Sequence, residues 1–253
     1  MRKRLVMSAI VASCLSSSLY AEISSLNMAV NMAGKQRMLT QKMMKDYSMI
    51  GMSMTYKNPK EDLQKSAELF SIALDELIGY IKDKPSLEAL EEVKKLWESA
   101  QKELLSEPAK DRAVALFKSM DQLLASAHKA TNAIAATSKE STGEIINVSG
   151  RQRMLSQRLA SLYMLKVWQV GMDDAELKKA MEQFSAAQAK LEAFPQNTDE
   201  INAGLAAVDK DFMFFEVLGV SKSKKYIPSL IARSSDKITG KMNEITKLYE
   251  AVK

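Results

Sequence analysis

One stretch of this chain occurs twice, and that repeat constrains the fold more than any other feature. The first copy reads Asn31-Met32-Ala33-Gly34-Lys35-Gln36-Arg37-Met38-Leu39-Thr40-Gln41-Lys42-Met43. The second reads Asn147-Val148-Ser149-Gly150-Arg151-Gln152-Arg153-Met154-Leu155-Ser156-Gln157-Arg158-Leu159, with every position displaced by 116 (Gly34 to Gly150). Most differences exchange like for like: Ala33 with Ser149, Lys35 with Arg151, Thr40 with Ser156, Met43 with Leu159. A repeat of this length requires two related structural units before any other reading of the chain begins.

At 100° per residue the box forms a helix with two buried faces. Met32, Leu39, Met43 and Ile50 lie on one, the large-residue lining expected inside a bundle. Leu26, Val30, Ala33, Arg37, Gln41 and Met44 lie on the other, with Gly34 at its edge, while Lys35, Lys42 and Lys45 point elsewhere. The second copy repeats both faces: Val148, Leu155, Leu159 and Leu162, then Ile146, Ser149, Arg153, Gln157, Ala160 and Met164. Small residues on the second face let two helix backbones approach. An arginine in that stripe needs a carboxylate, a set of carbonyls or an anion, because an unpaired buried charge is very costly.

The chain opens with Met1-Arg2-Lys3-Arg4, runs uncharged from Leu5 to Ser18 and reaches Leu19-Tyr20-Ala21 before Glu22, the pattern of a secretory leader cut after Ala21. A rival reading makes Val11-Ala12-Ser13-Cys14 a lipid-attachment box. Cys14 is the only cysteine, so the mature chain would hold no disulfide or thiolate chemistry. No later apolar run is long enough to span a bilayer; Asp211 to Leu218 is too short and too charged. Most of the formal charge of +5 comes from Arg2, Lys3 and Arg4, and the nearly balanced remainder argues against a general nucleic-acid binder. These readings place a mature, periplasmic chain beyond residues 1–21.

Breaks divide each unit into four helices. In the first unit, a helix from about Ser24 to Tyr56 is followed by starts at Asn58-Pro59-Lys60-Glu61, at Lys82-Asp83-Lys84-Pro85-Ser86 and at Ser106-Glu107-Pro108. In the second, Gly171, Pro195-Gln196-Asn197-Thr198 and Gly219 with Ser221-Lys222-Ser223-Lys224-Lys225 separate the elements. No segment alternates as a strand would. The expected fold is all-α, with two tandem four-helix-bundle units at 22–142 and 143–253. At Gly143 the join is either a hairpin, laying the units side by side as a pseudo-dimer, or a continuous helix that stacks them end to end.

The segment Ala33 to Met43 and its copy resemble the box of PilJ-type sensor domains, found in type IV pilus chemotaxis transducers and, in related form, in NarX-type nitrate/nitrite sensor kinases. The resemblance implies a periplasmic helical bundle with the box on its first helix. It also implies that the arginine followed by Met binds an anion at a dimer interface; here those positions are Arg37 and Arg153, with Gly34 and Gly150 matching beside them. The chain departs from the family in holding two units, and in showing neither framing membrane helices nor a kinase or methyl-accepting module. The family's signalling output is therefore not carried over.

Arg37 and Arg153 are the candidate ligand residues, because the planar guanidinium fork matches an oxyanion bidentately. Gln41 and Gln157, one turn on, add neutral donors, and Gly34 and Gly150 complete the set. The bland alternative for the arginines is a salt bridge to a neighbouring helix. Lys35, Lys42, Arg151 and Arg158 read as solvated. Met43, Met44, Met49, Met52 and Met54 suggest thioether ligation of Cu(I), against the plainer reading as core filler. His128 reads as a core or edge residue, and Trp97, Trp168 and Phe212 to Phe215 as core. With one histidine and no mature cysteine, the chain lacks the parts for zinc sites or nucleophilic triads, and no enzyme, cofactor or metal site is expected. The reading is a soluble sensor or binding protein for a small ligand, nitrate or nitrite best matching the box. The alternatives are an envelope adaptor docking on a membrane receptor or pilus component, and Met-based Cu(I) binding.

Overall fold

The computed structural model describes residues 23–137, 141–219 and 226–252, with only the backbone of Ser141 and Thr142. The segment read as a leader, with Cys14, and the linker 221–225 lie outside the described residues. Among those described there are eight helices and no strand: α1 (Leu26–Gly51), α2 (Pro59–Tyr80), α3 (Lys84–Leu104), α4 (Lys110–Ala136), α5 (Ser141–Trp168), α6 (Asp174–Glu192), α7 (Asp199–Leu218) and α8 (Pro228–Ala251). No helix among the described residues is long and apolar enough to cross a membrane.

The breaks in the sequence act through caps. Asp83 accepts from the Ser86 N–H at 3.0 Å, Asp173 from Ala175 at 2.9 Å and Thr198 from Ile201 at 3.3 Å, each satisfying a donor the helix itself leaves open. Two expectations are corrected at the start of the chain. The first helix stops at Gly51 rather than near Tyr56, because Ser53, Lys57 and Asn58 take positive φ and turn the chain. Asn58 precedes α2 in the left-handed region and makes no side-chain cap; its amide donates to Glu61 instead, at 2.9 Å.

Helices α1 to α4 pack on one another, as do α5 to α8, and the two sets meet chiefly through α1 and α5. Gly34 faces the backbone of Gly150 near one end, and Tyr47 packs edge-on to Trp168 near the other, with ring centroids 6.0 Å apart. The two helices therefore run parallel and in register, and the side-by-side arrangement holds. A Cβ on Gly51 would stand 2.1 Å from the Trp168 ring, so a side chain there would drive the indole out of the seam.

The sets repeat each other in detail. Phe70 packs on Trp97 at 4.5 Å and Phe184 stacks on Phe212 at 4.2 Å. The Tyr47 hydroxyl accepts from the Ala109 N–H at 3.1 Å, and that of Tyr163 from Ile227 at 2.9 Å, anchoring the starts of α4 and α8. Because α1 and α5 each bury two faces, nearly their whole circumference is enclosed, as expected of a helix at the centre of a large core. Lys45 is enclosed too. It reaches across to α8 and donates to Asp236 at 2.6 Å. The aromatic cluster of α7 is likewise only half core: Phe212 and Phe215 are buried, whereas Phe214 is exposed alongside Met213 and Val217.

Candidate functional site

Helical side chains point back toward the helix N-terminus, so the arginines of two parallel helices reach back along the seam between them. Arg37 Nη2 donates to the backbone carbonyl of Asn147 at 3.0 Å, and Arg153 Nη2 to that of Asn31 at 3.4 Å. Each arginine thus holds the first residue of the other box. The second amino group turns to the fourth helix of its own set: Arg37 Nη1 donates to His128 Nδ1 at 3.1 Å, and Arg153 Nη1 to Asn243 Oδ1 at 3.0 Å. The arrangement is pseudo-two-fold, with His128 and Asn243 in matching places.

The glycines make room for this. The Nη2 atoms of Arg37 and Arg153 lie 3.0 and 3.1 Å from where a Gly150 Cβ would stand, and 3.3 and 3.2 Å from that of Gly34. The two cations are therefore side by side at the crossing. Both side chains are fully buried, at 0 % exposure. Neither makes an ion pair with any described residue; their partners are two carbonyls, an imidazole nitrogen and an amide oxygen, all neutral. Nε of each is buried without a partner.

Electrostatics follow from this geometry. Burial, then the charge of Arg153, then that of Arg151, lower the pKa of Arg37 to about 9. Burial lowers Arg153 to about 10, and Glu250 partly offsets it. Both values leave the side chains charged at neutral pH. Lys35 is lowered by burial and then by Arg153, so each arginine has nearby a cation of the other box, Lys35 for Arg153 and Arg151 for Arg37. For His128, burial and then Arg37 and Arg151 lower the pKa to about 4, so the ring is neutral near pH 7. Arg37 can only donate, which makes Nδ1 the acceptor and puts the ring proton on Nε2, where it donates to the Asn132 amide 3.1 Å away once that amide turns its oxygen to the ring. Two buried like charges in a low-dielectric seam repel strongly, and an anion between them would remove that repulsion.

The structure brings Arg37, Arg153, Gly34 and Gly150 together and sets the glutamines apart from them. Gln41 accepts from Arg158 and Ser161 at 3.4 Å, and Gln157 donates to Thr239 at 2.8 Å; neither hydrogen-bonds an arginine of the pair. Two residues read as solvated are engaged in ion pairs. Arg158 is buried between Asp121 and Glu176, and Lys42 holds Asp46 at 2.6 Å. Among the methionines, Met43, Met44 and Met49 fill the core, while Met52 and Met54 are half-buried. His128 and Asn243 were missed as site residues. The available signal was their equivalence: each is a polar side chain at the same point of a fourth helix.

Comparison with known families adds one match. The model of the PilJ family, described as the N-terminal part of type IV pili methyl-accepting chemotaxis transducers, matches residues 19–123 and 134–211, one segment over each copy of the box. No curated protein and no solved structure matches the chain.

Proposed function

Since the chain belongs to the PilJ family, a non-catalytic family of sensor modules from chemotaxis transducers, we propose that it is a periplasmic binding module for one small oxyanion, held between Arg37 and Arg153. Nitrate or nitrite fits the planar fork best. The observation that carries this reading is the pair itself: two fully buried guanidiniums side by side, with no carboxylate against either among the described residues. The internal repeat supplies in one chain the two halves that a symmetric site requires, and the partner for signalling is a membrane receptor or transducer.

One observation favours the rival adaptor reading. Neutral acceptors already take four of the N–H groups, so the pair can be held without a ligand. Thermal denaturation with added sodium nitrate or nitrite, against sodium chloride, separates the two. Saturation at about 100 times the dissociation constant stabilises the native state by about 2.7 kcal/mol. For a chain of this length that is a rise of roughly 5–10 °C in Tm. Arg37→Lys and Arg153→Lys should each abolish most of the rise, since both forks grip one anion. No shift with any oxyanion leaves the adaptor. Half the sites retained at full affinity in each single variant would mean two independent sites.

A further inference from the structure

Beside the arginine pair, and opening to solvent, lies a cavity of about 240 Å³ between α4, α5 and α6. Its cations are Arg151, Arg158 and Lys179, and its carboxylates are Asp121 and Glu176. Asp121 and Glu176 are both spent on Arg158, which also lies over the Phe117 ring. Arg151 and Lys179 make no hydrogen bond or ion pair with any described residue. The wall between them and α4 is apolar, formed by Leu124, Met154 and Ala180. The cavity therefore offers two uncommitted cations beside an apolar surface, with one positive charge in excess.

The repeat provides an internal control. At the matching place in the first unit, between α8, α1 and α2, the lysine equivalent to Lys179 is Lys65, and it is already paired with Glu61 at 2.6 Å. Glu61 corresponds to Ala175, so the second unit lacks the carboxylate that would occupy Lys179. Leu124 corresponds to Thr239, so the apolar wall is also particular to this side. The chain has built this groove once.

We propose that the α4–α5–α6 groove is a second ligand site, for a small organic carboxylate whose acid group lies between Arg151 and Lys179 and whose apolar body rests on Leu124 and Met154. The volume falls below the roughly 300–1,000 Å³ of pockets for drug-sized ligands, which restricts the occupant to about the size of benzoate or butyrate. An inorganic oxyanion has no apolar body and gains nothing from that wall. The site is independent of the reading of the arginine pair. It shares with that pair one residue, His128, which lines the groove and accepts from Arg37.

His128 is the chain's only histidine, so its ring resonances report occupancy without assignment work. Sodium benzoate titrated onto the full mature chain should move those resonances saturably and raise Tm. Ala175→Glu, an exposed change that copies the first unit's Glu61, gives Lys179 an intrahelical partner and should weaken benzoate about fivefold, the scale of one exposed ion pair. Arg151→Gln should weaken it at least as much, while Arg153→Lys leaves benzoate affinity unchanged and removes the nitrate response. Failure of nitrate alone therefore sinks only the arginine-pair reading. Benzoate and butyrate that fail to saturate, or that bind Ala175→Glu and Arg151→Gln as tightly as the parent, overturn the second site. So does a groove response to nitrate equal to that of benzoate.

Discussion

Gly34 and Gly150 face each other where α1 and α5 cross, each within van der Waals reach of the other's Cα once a methyl is imagined on it, at 3.7 and 3.6 Å. The space this leaves is taken by guanidinium groups. A methyl at Gly150 would not collide with backbone; it would press on both Nη2 atoms at 3.0 and 3.1 Å. The arginines are fixed by carbonyls on the opposite helix, so they would move at the expense of those hydrogen bonds.

Gly150→Ala is therefore expected to fold, since its helix propensity gains up to about 1 kcal/mol against the displaced contacts. Its nitrate-induced rise in Tm should fall to less than half that of the parent. Circular dichroism checks the fold and thermal denaturation the binding; an undiminished nitrate response would mean that the glycines do not shape the site.

His128 should titrate about pH 4, against an ordinary value of 6.5. The native ring stays neutral while the unfolded one takes up a proton between these values, so its contribution to stability is complete above pH 6.5 and is lost as pH falls toward 4. His128→Asn, which installs the residue found at Asn243, should remove that part of the acid sensitivity. NMR titration of the single ring gives the pKa, and parallel Tm curves between pH 7 and 4.5 give the stability difference.

Asp236→Ala should cost about 3 kcal/mol, because it leaves Lys45, buried between the two sets of helices, with only Asp46, which is 4.0 Å away and already held by Lys42. Lys57, which shares Asp236 at 3.1 Å but is exposed, can be replaced by Ala with a loss below about 1 kcal/mol. Urea denaturation of the two variants separates the buried partner from the exposed one.

Leu155→Ala removes a fully buried side chain on the face that α5 turns to its own bundle. The expected loss is about 2–5 kcal/mol, set by how far the cavity can close, and it should leave nitrate affinity in the folded fraction unchanged. Denaturant unfolding measures the first and calorimetric titration the second.

Helix positions, their order and the double burial of the box were legible in the sequence, because each is written in local spacing. Apolar residues recur at the helical period, Asp83, Asp173 and Thr198 sit where caps are needed, and Gly34 and Gly150 recur with their arginines in one register. What surrounds those arginines was not legible. Whether a buried guanidinium finds a carboxylate, a carbonyl or another guanidinium depends on contacts between different helices, and more than one outcome occurs here. Arg158 is neutralised by Asp121 and Glu176, whereas Arg153, on the same helix, meets only neutral acceptors. Lys45 has no local pattern that marks it for Asp236, and His128 becomes a partner of Arg37 only once α4 packs on α1. The sequence by itself determined two all-helical units with matched boxes. Tertiary packing decided which side chains those boxes face, because charge pairing in a core depends on distances across helices that spacing along one helix does not carry.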